Sequence, residues 1–218
     1  MPSQTTLQRL CDSRLVAILR SSDAAVLIDA AEALAAGGID AIEVTFTVPK
    51  PLSVLEAVVN RLGDRTIVGA GTVLDAPTAR AAILAGAQFV VSPGTNLEVV
   101  KLCRRYSVPV APGAFTPTEI LTAWEAGADL VKVFPCEVVG PAYLRAIRAP
   151  LPQIRLMPTG GVTLDTAAEF LKSGASVLGV GGALASSDIL AGQNWEKLAK
   201  VARQFVEVVG QHAAQSGK

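Results

Sequence analysis

The sequence predicts an α/β chain folded as one closed (β/α)8 barrel, and three observations predict it. Short apolar, β-rich runs recur eight times, at 15–20, 41–46, 66–73, 89–93, 108–112, 130–135, 154–158 and 177–182. Their near-continuous apolar character fits parallel strands buried on both faces. Alanine- and leucine-rich segments with helical spacing lie between them, and Gly38, Gly86, Gly127 and Gly174 close four of these segments. Each glycine stands where a left-handed residue would end a helix and turn the chain into the next strand. Finally, Pro93, Pro112, Pro135 and Pro158 end four successive strands, as suits a residue with no N–H for a sheet ladder. An open doubly wound sheet is the rival topology, disfavoured by how evenly the units repeat.

The elements follow in order. "TTLQRLCDS" reads as a short helix, at about residues 4–12, that plugs the bottom of the barrel. "LVAILR" is the first strand and "AAVLIDAAEALAA" its helix; "AIEVTF" and "TIVGAGTV" are the second and third strands. "APTARAAILA" and "TPTEILTAWEA" are later helices, entered through Asp or Thr as N-caps. "LVKVFP", "IRLMP" and "VLGVGG" complete the strands, and "QHAAQSGK" (211–218) reads as a frayed tail. No break in composition divides the chain, so a single domain spanning 1–218 is expected.

Composition narrows the function. Lysine plus arginine and aspartate plus glutamate both number 19, which leaves no basic excess to draw nucleic acid or anionic lipid. No apolar run approaches the roughly 20 residues that cross a bilayer, and "MPSQTTLQRLCDSR" lacks a signal-peptide core. A cytoplasmic protein without nucleic-acid or membrane partners is expected. Cys11, Cys103 and Cys136 are widely spaced and odd in number, which argues for reduced thiols. His212 is the only histidine, so neither a His-rich metal site nor a His-dependent triad is expected, and the site should need no metal and no cofactor.

With the strands placed, polar residues that interrupt them collect near their C-terminal ends, the catalytic face of this fold. They are Arg20 on the first strand, Glu43, Thr45 and Thr47 on the second, Thr72 on the third, Ser92 on the fourth, Lys132 on the sixth and Thr159 on the seventh. Lys132 shares its side of the strand with Leu130 and Phe134. A closed barrel has no edge at which such a lysine could escape to water, and burial favours the neutral, nucleophilic amine. A neutral amine beside a carbonyl substrate forms a Schiff base, an electron sink for breaking an adjacent C–C bond. Glu43, also mid-strand, is the candidate proton carrier, with a structural ion pair to Lys132 or Arg20 as its alternative. Arg20 suits a carboxylate or phosphate. Gly160 and Gly161 after the seventh strand, and Gly181 and Gly182 after the eighth, occupy the loops that often bind phosphate in this fold. A phosphosugar isomerase using Glu43 as base, or a non-catalytic phosphometabolite binder, would reuse the same scaffold.

The motifs "AILR", "IEVTFTVP", "VGAGTVL", "VVSPG", "LVKVFPCEVVGP", "MPTGGV" and "GVGGAL" resemble, in order and spacing, the 2-keto-3-deoxy-6-phosphogluconate (KDPG) aldolase family, with its 4-hydroxy-2-oxoglutarate (KHG) and 6-phosphogalactonate relatives. The resemblance covers about residues 15–210. It implies a class I aldolase, usually a homotrimer, that cleaves KDPG to pyruvate and glyceraldehyde 3-phosphate, with oxaloacetate decarboxylation as a side activity. By the same resemblance Lys132 is the Schiff-base lysine and Glu43 the acid/base acting through water. Arg20, Thr72 and Thr159 line the substrate pocket, Phe134 and Pro93 form its apolar wall, and Gly160, Gly161, Gly181 and Gly182 lie near the phosphate. Two positions depart from the pattern. Thr47 stands where many members carry an arginine that helps hold the substrate carboxylate; it is expected among the substrate-binding residues, with the carboxylate shifting toward Arg20 and Thr72. Ala183 stands where some members place a serine beside the phosphate, leaving room for unphosphorylated substrates.

Overall fold

The computed structural model describes residues 5–216. Helix α1 (Thr6–Ser13) precedes β1 (Leu15–Leu19), and strands and helices then alternate: α2 (Val26–Ala36), β2 (Ala41–Thr45), α3 (Pro51–Leu62), β3 (Ile67–Gly71), α4 (Ala76–Leu84), β4 (Val90–Val91) and α5 (Leu97–Arg105). The second half carries β5 (Val110–Ala111), β6 (Gly113–Ala114), α6 (Pro117–Glu125), β7 (Val131–Val133), α7 (Gly140–Arg148), β8 (Leu156–Pro158), α8 (Leu164–Lys172), β9 (Leu178–Val180), α9 (Ser187–Ala191) and α10 (Trp195–Ser216).

All strand pairs are parallel. One run of neighbours is β5-β4-β3-β2-β1-β9 and the other is β6-β7-β8. The fifth stave of the barrel is a single stretch split by Pro112, which has no N–H for the ladder but whose carbonyl still accepts from the Lys132 amide at 2.9 Å. Bridges Leu156↔Ala175 and Thr159↔Gly179 join the seventh stave to the eighth and close the ring. Nine strand segments therefore form eight staves.

The predicted helix stops hold. Gly38, Gly86, Gly127 and Gly174 have φ of 93°, 97°, 94° and 98°, a region in which a Cβ is penalised. Helix starts are capped as the sequence suggests: the Asp75 carboxylate accepts from the Thr78 amide at 2.7 Å, and Thr116 with Glu119 forms a capping box at α6. The last helix departs from expectation, because residues 211–216 continue α10 where a tail is suggested; residues 217–218 lie outside the described residues. No proline interrupts this segment, and the buried Phe205 and Val209 dock the helix on α2 and α8.

The core has two parts. The larger lies between strands and helices. The smaller fills the bottom of the barrel with Val16, Ala41, Ile67, Phe89, Leu130, Met157 and Val177, closed from below by Leu10 of α1. Among the described residues no helix is long and apolar enough to cross a membrane.

Candidate active site

Alternate residues of a strand face the same side, so the residue two positions beyond each floor residue points inward one layer higher. Two positions on from Ala41, Leu130 and Met157 come Glu43, Lys132 and Thr159. On these three strands the sequence thus changes from apolar to polar at one height. All three are buried, with exposures of 1% for Glu43, 7% for Lys132 and 6% for Thr159. Above them opens a cavity of about 630 Å³ at the C-terminal rim.

Lys132 and Glu43 both line this cavity. The Lys132 Nζ lies 5.0 Å from the centre of the Phe134 ring, close enough for the ring face to attract an ammonium or iminium charge. None of the ion pairs among the described residues involves Lys132 or Glu43, so the structural ion pair is not formed. Glu43 Oε2 and Thr159 Oγ1 are buried without a protein hydrogen-bond partner. Such orphans are rare in folded proteins. Burial pushes the Glu43 carboxyl above the usual carboxylate range, with Lys132 and then Arg20 pulling the other way. The site therefore holds a buried lysine and a buried carboxyl that form no ion pair with each other.

Arg20, Thr72, Pro93, Phe134, Gly160, Gly161, Gly181, Gly182 and Ala183 all line the same cavity. Thr72 has a φ of 59°, a strained conformation for a β-branched residue and typical of functional positions. Gly160 and Gly161 have φ of 91° and 70°, and a Cβ on Gly161 would lie 2.8 Å from the Glu137 Cα. This turn admits only glycine.

Thr47 is the one expected binding residue that does not line the cavity. The chain turns after β2, with the Val48 amide donating to the Thr45 carbonyl at 3.2 Å, and the Thr47 hydroxyl donates to Thr45 Oγ1 at 3.3 Å. Thr45 in turn donates to the Leu19 carbonyl at 3.0 Å. Both hydroxyls are thus used in bracing the loop. Ser92 is likewise internal, donating to the Gly94 carbonyl at 2.7 Å. Sequence reasoning missed Glu137, Gly179 and Ser187, which line the cavity. Gly179 carried a signal, since glycine in a strand interior marks a close approach. The Cys136 thiol is fully buried and burial pushes its pKa up to about 11, the state of an inert thiol.

Fold and site together define an α/β barrel with a buried lysine and a buried carboxyl on a cavity at the C-terminal rim. A family model described as KDPG and KHG aldolase matches residues 7–201, and the chain belongs to that family. It is 36% identical, over 88% of this chain and 93% of the relative, to the 2-dehydro-3-deoxy-6-phosphogalactonate aldolase of Escherichia coli K12. It is 37% identical, over 94% and 96%, to the 2-dehydro-3-deoxy-phosphogluconate aldolase of Treponema pallidum. Among solved structures, a Legionella pneumophila KDPG aldolase holding pyruvate as a covalent carbinolamine superposes with a TM-score of 0.85 at 27% identity, over 92% of this chain and 97% of that one.

Proposed function

We propose that the protein is a class I aldolase that cleaves KDPG to pyruvate and glyceraldehyde 3-phosphate, with Lys132 as the Schiff-base lysine and Glu43 as the proton carrier. The observation that carries this reading is a buried lysine and a buried carboxyl on one cavity with no ion pair between them. The neutral Lys132 amine adds to the C2 carbonyl of the 2-keto acid, and the carbinolamine loses water to give an iminium. Glu43, acting through water as carboxylate, takes the proton of the C4 hydroxyl. The C3–C4 bond breaks, its electron pair moves into the iminium, and the aldehyde leaves. Glu43 then returns the proton to C3 of the enamine, and water releases pyruvate from Lys132. Arg20 with Thr72 would hold the substrate carboxylate, a task for which Thr47 is unavailable, and Thr159 would bond the substrate backbone. The distal phosphate would rest on the N–H groups of the two glycine pairs.

The support from relatives is direct at one step: the covalent carbinolamine of the Legionella enzyme is the adduct expected at Lys132. The similarity to the E. coli phosphogalactonate enzyme favours a second reading, in which the C4 epimer is the substrate. Hydroxyoxoglutarate cleavage would use the same enamine. Assembly as a homotrimer in the cytoplasm completes the proposal; a designed cage built by fusing symmetric oligomeric domains contains a relative 33% identical over 93% of this chain.

Incubation with pyruvate and borohydride, followed by peptide mass spectrometry, tests the mechanism. A reduced pyruvate adduct on Lys132 is expected, and its absence there would overturn the reading. Relative kcat/KM on KDPG, its galactonate epimer and hydroxyoxoglutarate ranks the substrates.

A further inference from the structure

Above Ile67 of the floor, the next two inward positions of strand β3 are both glycine: Gly69 and Gly71. Neither has a positive φ, so backbone conformation does not require glycine at either. What each provides is volume. A Cβ on Gly69 would lie 2.5 Å from the Phe89 ring, which occupies that space in the apolar floor. A Cβ on Gly71 would lie 1.8 Å from Glu43 Oε1, 2.2 Å from its Cδ and 2.6 Å from its Cγ.

The register explains why Glu43 needs this space. Glu43 pairs with Gly69, and Gly71 pairs with Thr45, so the Glu43 side chain leans one inward position toward the rim and lies across Gly71. Glu43 is 1% exposed and its Oε2 has no protein partner. No hydrogen bond to Oε2 therefore aims the group, and the strand glycine beneath it supplies the seat. The device recurs across the barrel, where a Cβ on Gly179 would lie 2.3 Å from Thr159 Oγ1, the other buried polar atom without a partner.

We propose that Gly71 is a positioning residue for catalysis: its missing side chain seats the Glu43 carboxyl where it can exchange protons with the substrate. The inference rests on the proposed role of Glu43. Ordinary contact begins near 3.4 Å and the separation is 1.8 Å, so a methyl at position 71 displaces the carboxyl by about 1.6 Å, close to the ~1.5 Å length of one C–C bond. A misplacement of this size costs an acid/base step about 100-fold.

The test is a size-swap cycle of Gly71→Ala, Glu43→Asp and the double variant, with Gly69→Ala as a control against the apolar floor. Gly71→Ala is expected to lower kcat about 100-fold with KM changed less than about threefold, while borohydride still traps pyruvate on Lys132. In the double variant the acid is one carbon shorter, which reduces the crowding by the added methyl group to the 2.6 Å approach at Cγ, and kcat should rise severalfold above that of Gly71→Ala. Gly69→Ala should lower the melting temperature and leave kcat within about twofold. Full activity in Gly71→Ala, or a double variant no better than Gly71→Ala, would overturn the proposal. If Gly71→Ala does not fold, recovery of folding in the double variant supports it and failure of both overturns it. Melting temperatures across the cycle report the coupling of positions 43 and 71 without substrate. A parent enzyme that traps no pyruvate would thus sink the Schiff-base reading while the seat is still measured.

Discussion

Thr72 joins strain to function, and the two can be separated by substitution. Its φ of 59° places a β-branched residue in the left-handed region, at a cost of roughly 1–2 kcal/mol. Asparagine tolerates this region, so Thr72→Asn should recover about 1 kcal/mol; at about 2–4 °C per kcal/mol for a chain of this size, the melting temperature should rise by that amount. Thr72→Val keeps the branched, strained side chain and removes only the hydroxyl. Its melting temperature should stay within about 1 °C of the parent, while kcat/KM falls roughly 10- to 150-fold through loss of a hydrogen bond to a charged carboxylate, worth about 1.5–3 kcal/mol. Calorimetry and steady-state kinetics on both variants provide the comparison. A lower melting temperature for Thr72→Asn would show that no strain is stored there. Parent-like kinetics for Thr72→Val would show that the hydroxyl does not touch substrate.

Two further predictions concern charge. The Glu43 carboxyl is raised by burial, so the folded state holds this proton more tightly than the unfolded chain. Its contribution to stability is full below the ordinary carboxylate pKa and is lost as pH rises through the raised value. Glu43→Gln mimics the protonated form. Its melting temperature should match the parent near pH 4 and exceed it increasingly toward neutral pH, by about 1.4 kcal/mol for each unit of elevation, while kcat drops about 10²- to 10⁴-fold. A pH-independent difference in melting temperature would refute the assignment. Arg20→Ala should raise the KM for the keto acid about tenfold, with pyruvate trapping on Lys132 retained at saturating pyruvate; an unchanged KM would remove Arg20 from carboxylate binding.

Much of this was legible because strand periodicity is strict. Once Leu130 is inside, Lys132 and Phe134 must be as well, and the same count from Ala41 finds Glu43. Helix punctuation was equally readable, since Gly174 and its three counterparts do one conformational task. Thr47 was misjudged because period-two counting ends where the strand ends: the turn after Thr45 redirects its side chain, and a short hydroxyl cannot reach back to the cavity as a longer group could. The split at Pro112 left its mark in the sequence, but the carbonyl that keeps the stave continuous did not. The lean of Glu43 across Gly71 was invisible for another reason. Sequence gives the face of a strand that a side chain occupies, and only coordinates give its tilt along the barrel axis.

The apolar floor below Lys132, sealed by Leu10, carries a stereochemical consequence. On the proposed chemistry the enamine lies above a surface with no proton to give, and the acid that serves it stands on one strand, to one side. Protonation must then come to a single face of the enamine carbon. A substrate carrying one protium and one deuterium at that carbon in a defined configuration, turned over in tritiated water, should yield pyruvate whose methyl group is chiral.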